Sequence, residues 1–201
     1  MLRVITGTSK GTHLKVPETG LRPATDLVRG AIFAMLENLT DDWSRVLDVF
    51  SGSGAMGIEA LSRGADRVDF VDREPRCCAI IKMNLEKTKF SEQSHVYCMP
   101  AARALAFLDK EYSVVIMDPP YPDTSIHEVV EQLAGSKLIN HDSVVVVTHS
   151  SRFPLRANYG LLTQFKERRH GDSTISIYRK EITARQWRFM PELSTRLPTG
   201  T

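Results

Sequence analysis

Short runs of β-branched apolar residues alternate with longer stretches of helical periodicity between residues 46 and 150. The apolar runs predict five strands, and the stretches between them, with apolar residues at helical spacing, predict helices. The predicted strands cover residues 46–50, 68–71, 95–99, 113–117 and 143–148. Strands joined by helices of this length form right-handed βαβ units, so we predict a parallel sheet with helices on both faces.

The N-terminal region has a different pattern. Two short runs that contain β-branched residues, at 2–5 and 13–16, flank a turn with two glycines, which predicts a β-hairpin. Thr25 or Asp26 then caps a predicted helix, because either side chain can accept a hydrogen bond from a backbone N–H of the first turn. The chain therefore begins with a hairpin and a helix before the βαβ region.

The C-terminal region departs from the βαβ pattern as well. Residues 161–168 and 174–178 are two β-prone runs around a Gly-Asp turn, which predicts an antiparallel hairpin that closes the sheet. Residues after 180 contain two prolines and few aliphatic side chains, which is typical of a surface tail. We predict a hairpin extension at 1–20, an α/β domain at 21–180 and a tail without an assigned role at 181–201.

The composition excludes several protein classes. With 201 residues, 42% hydrophobic and 25% charged, the chain can form one domain with its own core and is not disordered, collagen-like or a coiled coil. No apolar run approaches the roughly 20 residues that cross a bilayer, and the first residues lack the apolar segment of a secretory signal. Three cysteines, two of them adjacent, do not build a disulfide framework or a zinc site. We expect a cytoplasmic protein that binds no metal and no membrane.

The charge is distributed unevenly along the chain. The net charge is +3 over residues 1–36, −7 over residues 37–150 and +6 over residues 151–201. Basic ends around an acidic centre fit a chain whose termini contact a polyanion such as RNA. Ordinary variation of surface charge would produce the same distribution, so charge alone leaves both interpretations open.

A glycine-rich loop follows the first predicted strand and leads into a helix. It reads Asp48-Val49-Phe50-Ser51-Gly52-Ser53-Gly54-Ala55-Met56-Gly57. Gly52 and Gly54 permit backbone conformations and close ligand approach that a Cβ atom would block, and Gly57 lets the helix pack tightly on the sheet. Asp72 ends the second strand, where a carboxylate can accept hydrogen bonds from two ribose hydroxyls. These features predict a site for an adenosyl ligand at the carboxyl ends of the strands.

Asp48 distinguishes between two candidate ligands for this loop, a dinucleotide and S-adenosylmethionine. A carboxylate at the end of the first strand would repel the pyrophosphate of a dinucleotide, whereas it would attract the amino group of a methionine moiety. The loop therefore favours S-adenosylmethionine over a nicotinamide cofactor. A tight strand–helix turn without any ligand is the remaining structural alternative.

The second motif, Asp118-Pro119-Pro120-Tyr121, directly follows the fourth predicted strand. Two prolines remove two backbone donors and fix the direction of the carbonyl groups. Asp118 and the Pro119 carbonyl would accept both N–H groups of an exocyclic amine, and Tyr121 would stack on the ring of a planar base. The motif predicts a site for a nucleobase amine, with a chance turn as the alternative.

Together, five stretches resemble the class I S-adenosylmethionine-dependent methyltransferases, specifically the RsmD-type 16S rRNA guanine-N2 methyltransferases of bacteria. The resemblance covers residues 1–180, and the segment Leu21-Arg22-Pro23-Ala24-Thr25-Asp26 is its most specific part. The other stretches are residues 2–14, 48–65, 71–72 and 117–121. The resemblance implies a Rossmann-like fold of seven mostly parallel strands in the order 3-2-1-4-5-7-6, with strand seven antiparallel and helices on both faces.

The resemblance also implies an activity. The methyl group of S-adenosylmethionine would pass to the N2 amine of a guanine in bacterial 16S rRNA, with S-adenosylhomocysteine as product and the base flipped into the Asp-Pro-Pro-Tyr pocket. The partner would be 16S rRNA, free or within an assembling small ribosomal subunit. A monomer is favoured, although the sequence does not fix the oligomeric state.

Two positions depart from the family pattern. Relatives usually carry Glu after Val28-Arg29, where this chain has Gly30. Relatives usually carry Asn or Asp after the third strand, in contact with the adenine, where this chain has Pro100. Pro100 supplies no side-chain acceptor, so another group must meet the adenine amine in this protein.

We assign the predicted site residues to three roles. The catalytic residues are Asp118, Pro119 and Tyr121. The cofactor-binding residues are Thr25, Asp48, Phe50, Gly52, Ser53, Gly54, Asp72 and Arg73. The substrate-binding residues are Pro120, Tyr121, Arg3, Lys10, Arg22 and Arg29, of which the four basic ones would form an RNA-facing rim with the hairpin.

Three other functions stay open at this point. A methyltransferase acting on adenine N6 or cytosine N4 of another nucleic acid would use the same acceptors. A nicotinamide oxidoreductase would explain the glycines but not Asp48 or the Asp-Pro-Pro-Tyr motif. A non-catalytic RNA-binding module would need only the basic ends.

Overall fold

The computed structural model describes residues 2–17, 25–120 and 125–181. The helices are α1 (Asp26–Glu37), α2 (Ala55–Ser62), α3 (Pro75–Thr88), α4 (Ala101–Phe107) and α5 (Ile126–Gly135), with one 3-10 turn at Ser91–Gln93. The strands are β1 (Val46–Val49), β2 (Val68–Asp72), β3 (Ser94–Cys98), β4 (Val114–Met117), β5 (Val144–Ser150), β6 (Asn158–Tyr159), β7 (Leu162–His170) and β8 (Ser173–Lys180). Each strand and helix predicted between residues 46 and 150 is present.

All described strands form one sheet in the order β3-β2-β1-β4-β5-β8-β7-β6. The five strands β1 to β5 are parallel, and β8 pairs antiparallel with β5. The predicted fold class and strand order are therefore confirmed, with β8 and β7 in the places of strands seven and six. The prediction of seven strands is wrong by one, because the two-residue strand β6 pairs with the first residues of β7 and adds an eighth.

Helices cover both faces of the sheet and produce two apolar cores. The first core lies between the sheet and α1, α2 and α3, and the second lies between the sheet and α4 and α5. Alternate residues of each strand point into opposite cores, as in Val144 and Val145 of β5, both of which are fully buried. This double burial explains the unbroken apolar character of β4 and β5.

The N-terminal residues fold back on themselves and pack on α2. Arg3 and His13 form an antiparallel bridge, and Leu2, Val4 and Leu14 are buried in the first core. The carboxylate of Glu59 in α2 is fully buried and accepts hydrogen bonds from the backbone N–H groups of the hairpin at residues 5 and 6, at 2.7 and 3.0 Å. The hairpin is thus held to the helical layer through a buried charge.

The C-terminal hairpin is formed by β7 and β8, which confirms the prediction of an antiparallel closing pair. The register shifts between Gln164 and Lys166, so Phe165 is a bulged residue.

Among the residues that the structure describes, no helix has the length and apolar character needed to span a lipid bilayer.

Candidate active site

Both predicted motifs lie on one cleft at the carboxyl edge of the sheet. The loops after β1 and β4, which are neighbouring parallel strands, face each other across this cleft of about 770 Å³. Of the predicted site residues, the cleft is lined by Thr25, Arg29, Asp48, Phe50, Gly52, Ser53, Asp72, Arg73, Asp118, Pro119 and Pro120. A crevice outside the carboxyl ends of parallel strands is the usual ligand position in open α/β sheets.

The glycine-rich loop adopts an unusual backbone. Phe50, Gly52 and Gly54 all have positive φ angles, of 62°, 55° and 78°. Glycine takes this conformation without steric cost, whereas Phe50 is strained, and strained backbone of this kind concentrates at ligand-binding sites. Gly54 does not line the cleft, because it is the residue that caps α2 beneath the loop. Its role is to turn the chain into the helix.

Gly57 permits close contact between α2 and the sheet. A Cβ atom at this position would lie 2.3 Å from the ring of Phe70 on β2. The predicted packing role of this glycine is therefore confirmed, and it brings the first turn of α2 close enough for a contact with β1. The Gly57 N–H donates to Oδ2 of Asp48 at 2.9 Å.

Asp48 is buried at the floor of the cleft, with 1% of its surface exposed. Burial raises the pKa of its carboxyl group to about 8, and the nearby Asp118 and Asp72 carboxylates act in the same direction. The hydrogen bond from Gly57 opposes this shift but does not cancel it. No cation among the described residues forms an ion pair with Asp48.

Asp72 is oriented by two backbone donors. Its Oδ2 accepts a hydrogen bond from the Gly52 N–H at 2.8 Å, and its Oδ1 accepts one from the Glu74 N–H at 2.9 Å. The carboxylate therefore links the end of β2 to the glycine loop on β1. Arg73, which follows it, is exposed and lies 3.4 Å from Glu74.

Asp118 is positioned by the neighbouring strand. Thr148 on β5 is fully buried, and its hydroxyl donates a hydrogen bond to Oδ1 of Asp118. The Asp118 N–H points to the carbonyl of Val49 at 3.4 Å, which ties the loop after β4 to the end of β1. Asp118 is therefore held between the strand that carries the glycine loop and the strand on its other side.

The opposite wall of the cleft begins at Pro100. This residue precedes α4 and lines the cleft together with Ala101 and Ala102. Thr25 lies on another wall, where its side chain accepts a hydrogen bond from the Val28 N–H and caps α1. Of the two predicted caps, Thr25 and Asp26, Thr25 is therefore the helix cap.

The described residues of the predicted basic rim, Arg3, Lys10 and Arg29, do not form one surface. Arg29 is only 1% exposed, so the prediction that it contacts RNA at the protein surface is corrected. Its guanidinium donates to the Arg3 carbonyl and to Asp26 and lies 4.0 Å from Glu59, so groups of the hairpin, α1 and α2 surround it. Burial lowers the pKa of Arg29.

Lys10 and Arg3 are exposed but lie at different places. The turn that contains Lys10 is bonded to the last residues of α2 and α3, through Thr8 N–H to Ser62 and Ser9 hydroxyl to Thr88. These helices start at the carboxyl edge and run away from it, so Lys10 is at the far end of the helical layer. Arg3 lies 3.8 Å from Asp26, at the start of α1.

Two predicted residues, Tyr121 and Arg22, fall outside the described residues.

The sequence analysis did not predict roles for Ser51 and Thr148. The Ser51 hydroxyl donates to the Asp48 carbonyl at 2.6 Å and accepts from the Val71 N–H at 3.0 Å, which joins the ends of β1 and β2. Ser51 stood within the quoted loop, but Thr148 had no signal except a polar side chain at the end of an apolar strand.

The chemistry available to the cleft is that of acceptors and acids. Six carboxyl groups line it, and three of them, those of Asp48, Asp72 and Asp118, lie at the carboxyl ends of β1, β2 and β4. In the part of the chain that the structure describes, no cluster of His, Cys, Asp and Glu residues is arranged to hold a metal ion. The arrangement can bind amino and hydroxyl groups, and it can orient a planar amine next to the loop of β1.

Comparisons with known proteins agree with this geometry. A family model described as "Conserved hypothetical protein 95" matches residues 2–179. Bacillus subtilis YlbH is 34% identical over 89% of this chain and 99% of its own length. Ribosomal RNA small subunit methyltransferase D of Escherichia coli is 31% identical over 73% of each chain.

A solved structure shows the same architecture. That of Escherichia coli yhhF is 27% identical, with a TM-score of 0.77 over 90% of this chain and 99% of that one. The family match spans most of the chain, and the relatives align over most of their own lengths. The chain therefore belongs to the RsmD-type methyltransferase family.

Proposed function

We propose that this protein transfers a methyl group from S-adenosylmethionine to the exocyclic N2 amine of a guanine in small-subunit ribosomal RNA. The observation that carries the proposal is the single cleft shared by the glycine loop of β1 and the Asp118-Pro119-Pro120 turn of β4. A methyl donor bound by the glycine loop and an amine bound by the turn after β4 would lie side by side. The names of the relatives support rRNA as the substrate.

The residues of the cleft fit this cofactor. A volume of about 770 Å³ lies in the range of pockets that enclose a small organic ligand. Asp48 is a buried acid that an ammonium group would complement, and Asp72 presents a carboxylate at the strand end where ribose hydroxyls are bound. When bound, S-adenosylmethionine supplies a methyl group that its positively charged sulfur makes electrophilic.

On the cofactor side, each acid has a separate task. Asp48 binds the amino group of the methionine moiety, and Asp72 binds the ribose hydroxyls while the glycine loop holds it in place. Phe50 and Ser53 shape the floor, and the wall at Pro100 contacts the adenine through backbone and apolar atoms. Arg73 lies at the exposed rim.

On the base side, Asp118 and the Pro119 carbonyl accept the two N–H groups of the guanine amine. These acceptors stabilise the positive charge that develops on the nitrogen, and the proton then leaves to Asp118 or to water. Pro120 and Tyr121 bind the ring. Holding the nitrogen in line with the methyl group supplies most of the acceleration, since no strong base is required.

The base must leave its stack to reach this position. Extrusion of a nucleotide costs a few kcal/mol and is least expensive for a base that is already unpaired. We therefore propose that the substrate guanine lies in an accessible loop of 16S rRNA, within an assembling small subunit or in free rRNA.

Labelled methyl donor and undermethylated small ribosomal subunits test the proposal. We expect label on N2 of one guanine, and none with the Asp118→Ala variant, which removes one of the amine acceptors. A Lys137→Ala variant, altered at an exposed residue that precedes β5 at the edge of the sheet opposite the cleft, serves as control. Label on adenine N6 or cytosine N4, or unchanged transfer by Asp118→Ala, would contradict the proposed specificity or the acceptor role.

A further inference from the structure

The outer edge of the sheet at β7 is open and basic. Strand β6 pairs with β7 only at Leu162 and Thr163, and among the described residues no strand pairs with the outer edge beyond that point. The side chains of Phe165, Lys166, Arg168 and Arg169 are exposed along this edge. None of the three cations forms an ion pair with a described residue.

The register of the sheet places Arg168 at the level of the candidate site. Arg168 is paired with Ile175 of β8, and Ile175 is paired with Thr148 of β5. Thr148 in turn donates its hydroxyl hydrogen bond to Asp118. Since neighbouring strands are about 4.8 Å apart, the backbones of Arg168 and Thr148 are about 10 Å apart.

Lys166 and Arg168 also lie on the same face of the sheet as Asp118. Their partners Ile177 and Ile175 point into the core beneath α1, and the Thr148 side chain points to the same side. The opposite face of β7 carries Glu167 beside Arg169, so its charges largely cancel. The positive charge is therefore concentrated on the face that leads to Asp118.

Phe165 extends this face with an exposed ring. Its side chain is 58% exposed, and the guanidinium of Arg179 lies 5.3 Å from the ring centre. An exposed aromatic ring among cations is the combination with which proteins bind single-stranded nucleic acid, through base stacking and phosphate contacts. Lysine on an edge strand also prevents strand-to-strand aggregation, which is the competing explanation of the charges.

We propose that Phe165, Lys166 and Arg168, which we call the β7 surface, bind the RNA strand next to the target nucleotide. Lys166 and Arg168 contact phosphates, and Phe165 stacks on an unpaired base. This inference rests on the proposed function, because it assumes that RNA is the substrate. It assigns RNA binding to strand β7 of the C-terminal hairpin, from Phe165 to Arg168 at the level of Asp118, whereas Lys10 at the far end of the helical layer takes no part.

The test compares two double variants with the same change in charge. Lys166→Glu/Arg168→Glu alters the β7 surface, and Lys110→Glu/Lys137→Glu alters two exposed lysines that precede β4 and β5 at the opposite edge. Glutamate keeps a charge on the edge strand β7, so the β7 variant retains its protection against strand-to-strand aggregation. The measurements are the Kd for naked 16S rRNA at several salt concentrations and the Kd for S-adenosylhomocysteine.

We expect the β7 variant to bind 16S rRNA at least about tenfold more weakly and its salt slope to fall by about 2, one for each lost phosphate contact. S-adenosylhomocysteine binding should be unchanged, which shows that the cleft is intact. The proposal is overturned if the β7 variant matches the control in both affinity and slope. A wild-type protein that binds 16S rRNA neither naked nor within small ribosomal subunits would instead overturn the proposed function together with this inference.

Discussion

At the scale of single residues, protonation of Asp48 should couple cofactor binding to pH. Its carboxyl group has a pKa of about 8 in the ligand-free protein, so it is mostly neutral at pH 6 to 7. An ammonium group binds the ionised form, and the affinity must therefore rise with pH up to about 8. The proton released on binding makes this coupling measurable.

Between pH 6 and 7.5 we expect the affinity for S-adenosylmethionine to rise about 20-fold, as the ionised fraction of a group with a pKa of about 8 does. Isothermal titration calorimetry over this range, in buffers of different ionisation enthalpy, measures both the Kd and the released proton. The Asp48→Asn variant should bind weakly at every pH in the range. If the wild-type affinity is also flat, Asp48 does not meet the amino group.

Thr148 should influence turnover through Asp118. Thr148→Val keeps the volume of the side chain but removes the hydroxyl that donates to Asp118 Oδ1. A hydrogen bond to a charged group is worth about 1.5 kcal/mol or more, and we expect kcat to fall by about tenfold or more with little change in cofactor Kd. Steady-state kinetics on rRNA provides the measurement. Thr148→Ser should recover most of the activity, and a Ser variant as poor as Val would point to packing instead.

At the scale of elements, the N-terminal hairpin depends on a buried charge in α2. Glu59 accepts two backbone N–H groups of the hairpin and is paired with Arg63 at 2.9 Å. Glu59→Gln removes the charge and places an amide donor against one of these N–H groups. The hairpin then loses a charged acceptor for two of its backbone N–H groups.

We expect Glu59→Gln to lower the free energy of unfolding by about 3 kcal/mol, the usual cost of breaking a buried ion pair. Urea denaturation measures this change, and hydrogen exchange at the amides of Ile5 and Thr6 should accelerate. Glu86→Gln, on the exposed surface of α3, should change the unfolding free energy by less than about 0.5 kcal/mol. Equal stabilities of the two variants would show that the buried carboxylate is not needed.

The periodicity of apolar residues predicted most of the strands and helices. Alternation of apolar runs with helical stretches was enough for β1 to β5 and for the helices between them, since both periods follow from backbone geometry. Strand β6 was missed, because two residues do not produce a pattern. The close contact of Gly57 with Phe70 followed from the known role of that glycine after a strand.

At the scale of the whole molecule, sequence motifs predicted the acidic residues at the strand ends that form the site. Contacts that depend on how strands and the hairpin pack together were not predicted. Asp48, Asp72 and Asp118 end three strands, and the carboxyl ends of parallel strands share an edge. The burial of Arg29 depends on where the hairpin packs, which local sequence does not encode. The contact of Thr148 with Asp118 likewise depends on the adjacency of β4 and β5.

We propose that the methyl donor and the base meet between the loops after β1 and β4. The most direct measurement is a crystal structure of the protein with bound S-adenosylhomocysteine. Since the transferred methyl group must come within about 3.5 Å of the acceptor nitrogen, we predict that the sulfur faces Asp118 and Pro119, with the ribose on Asp72. A sulfur directed away from Pro119, or a ligand outside this cleft, would contradict the account.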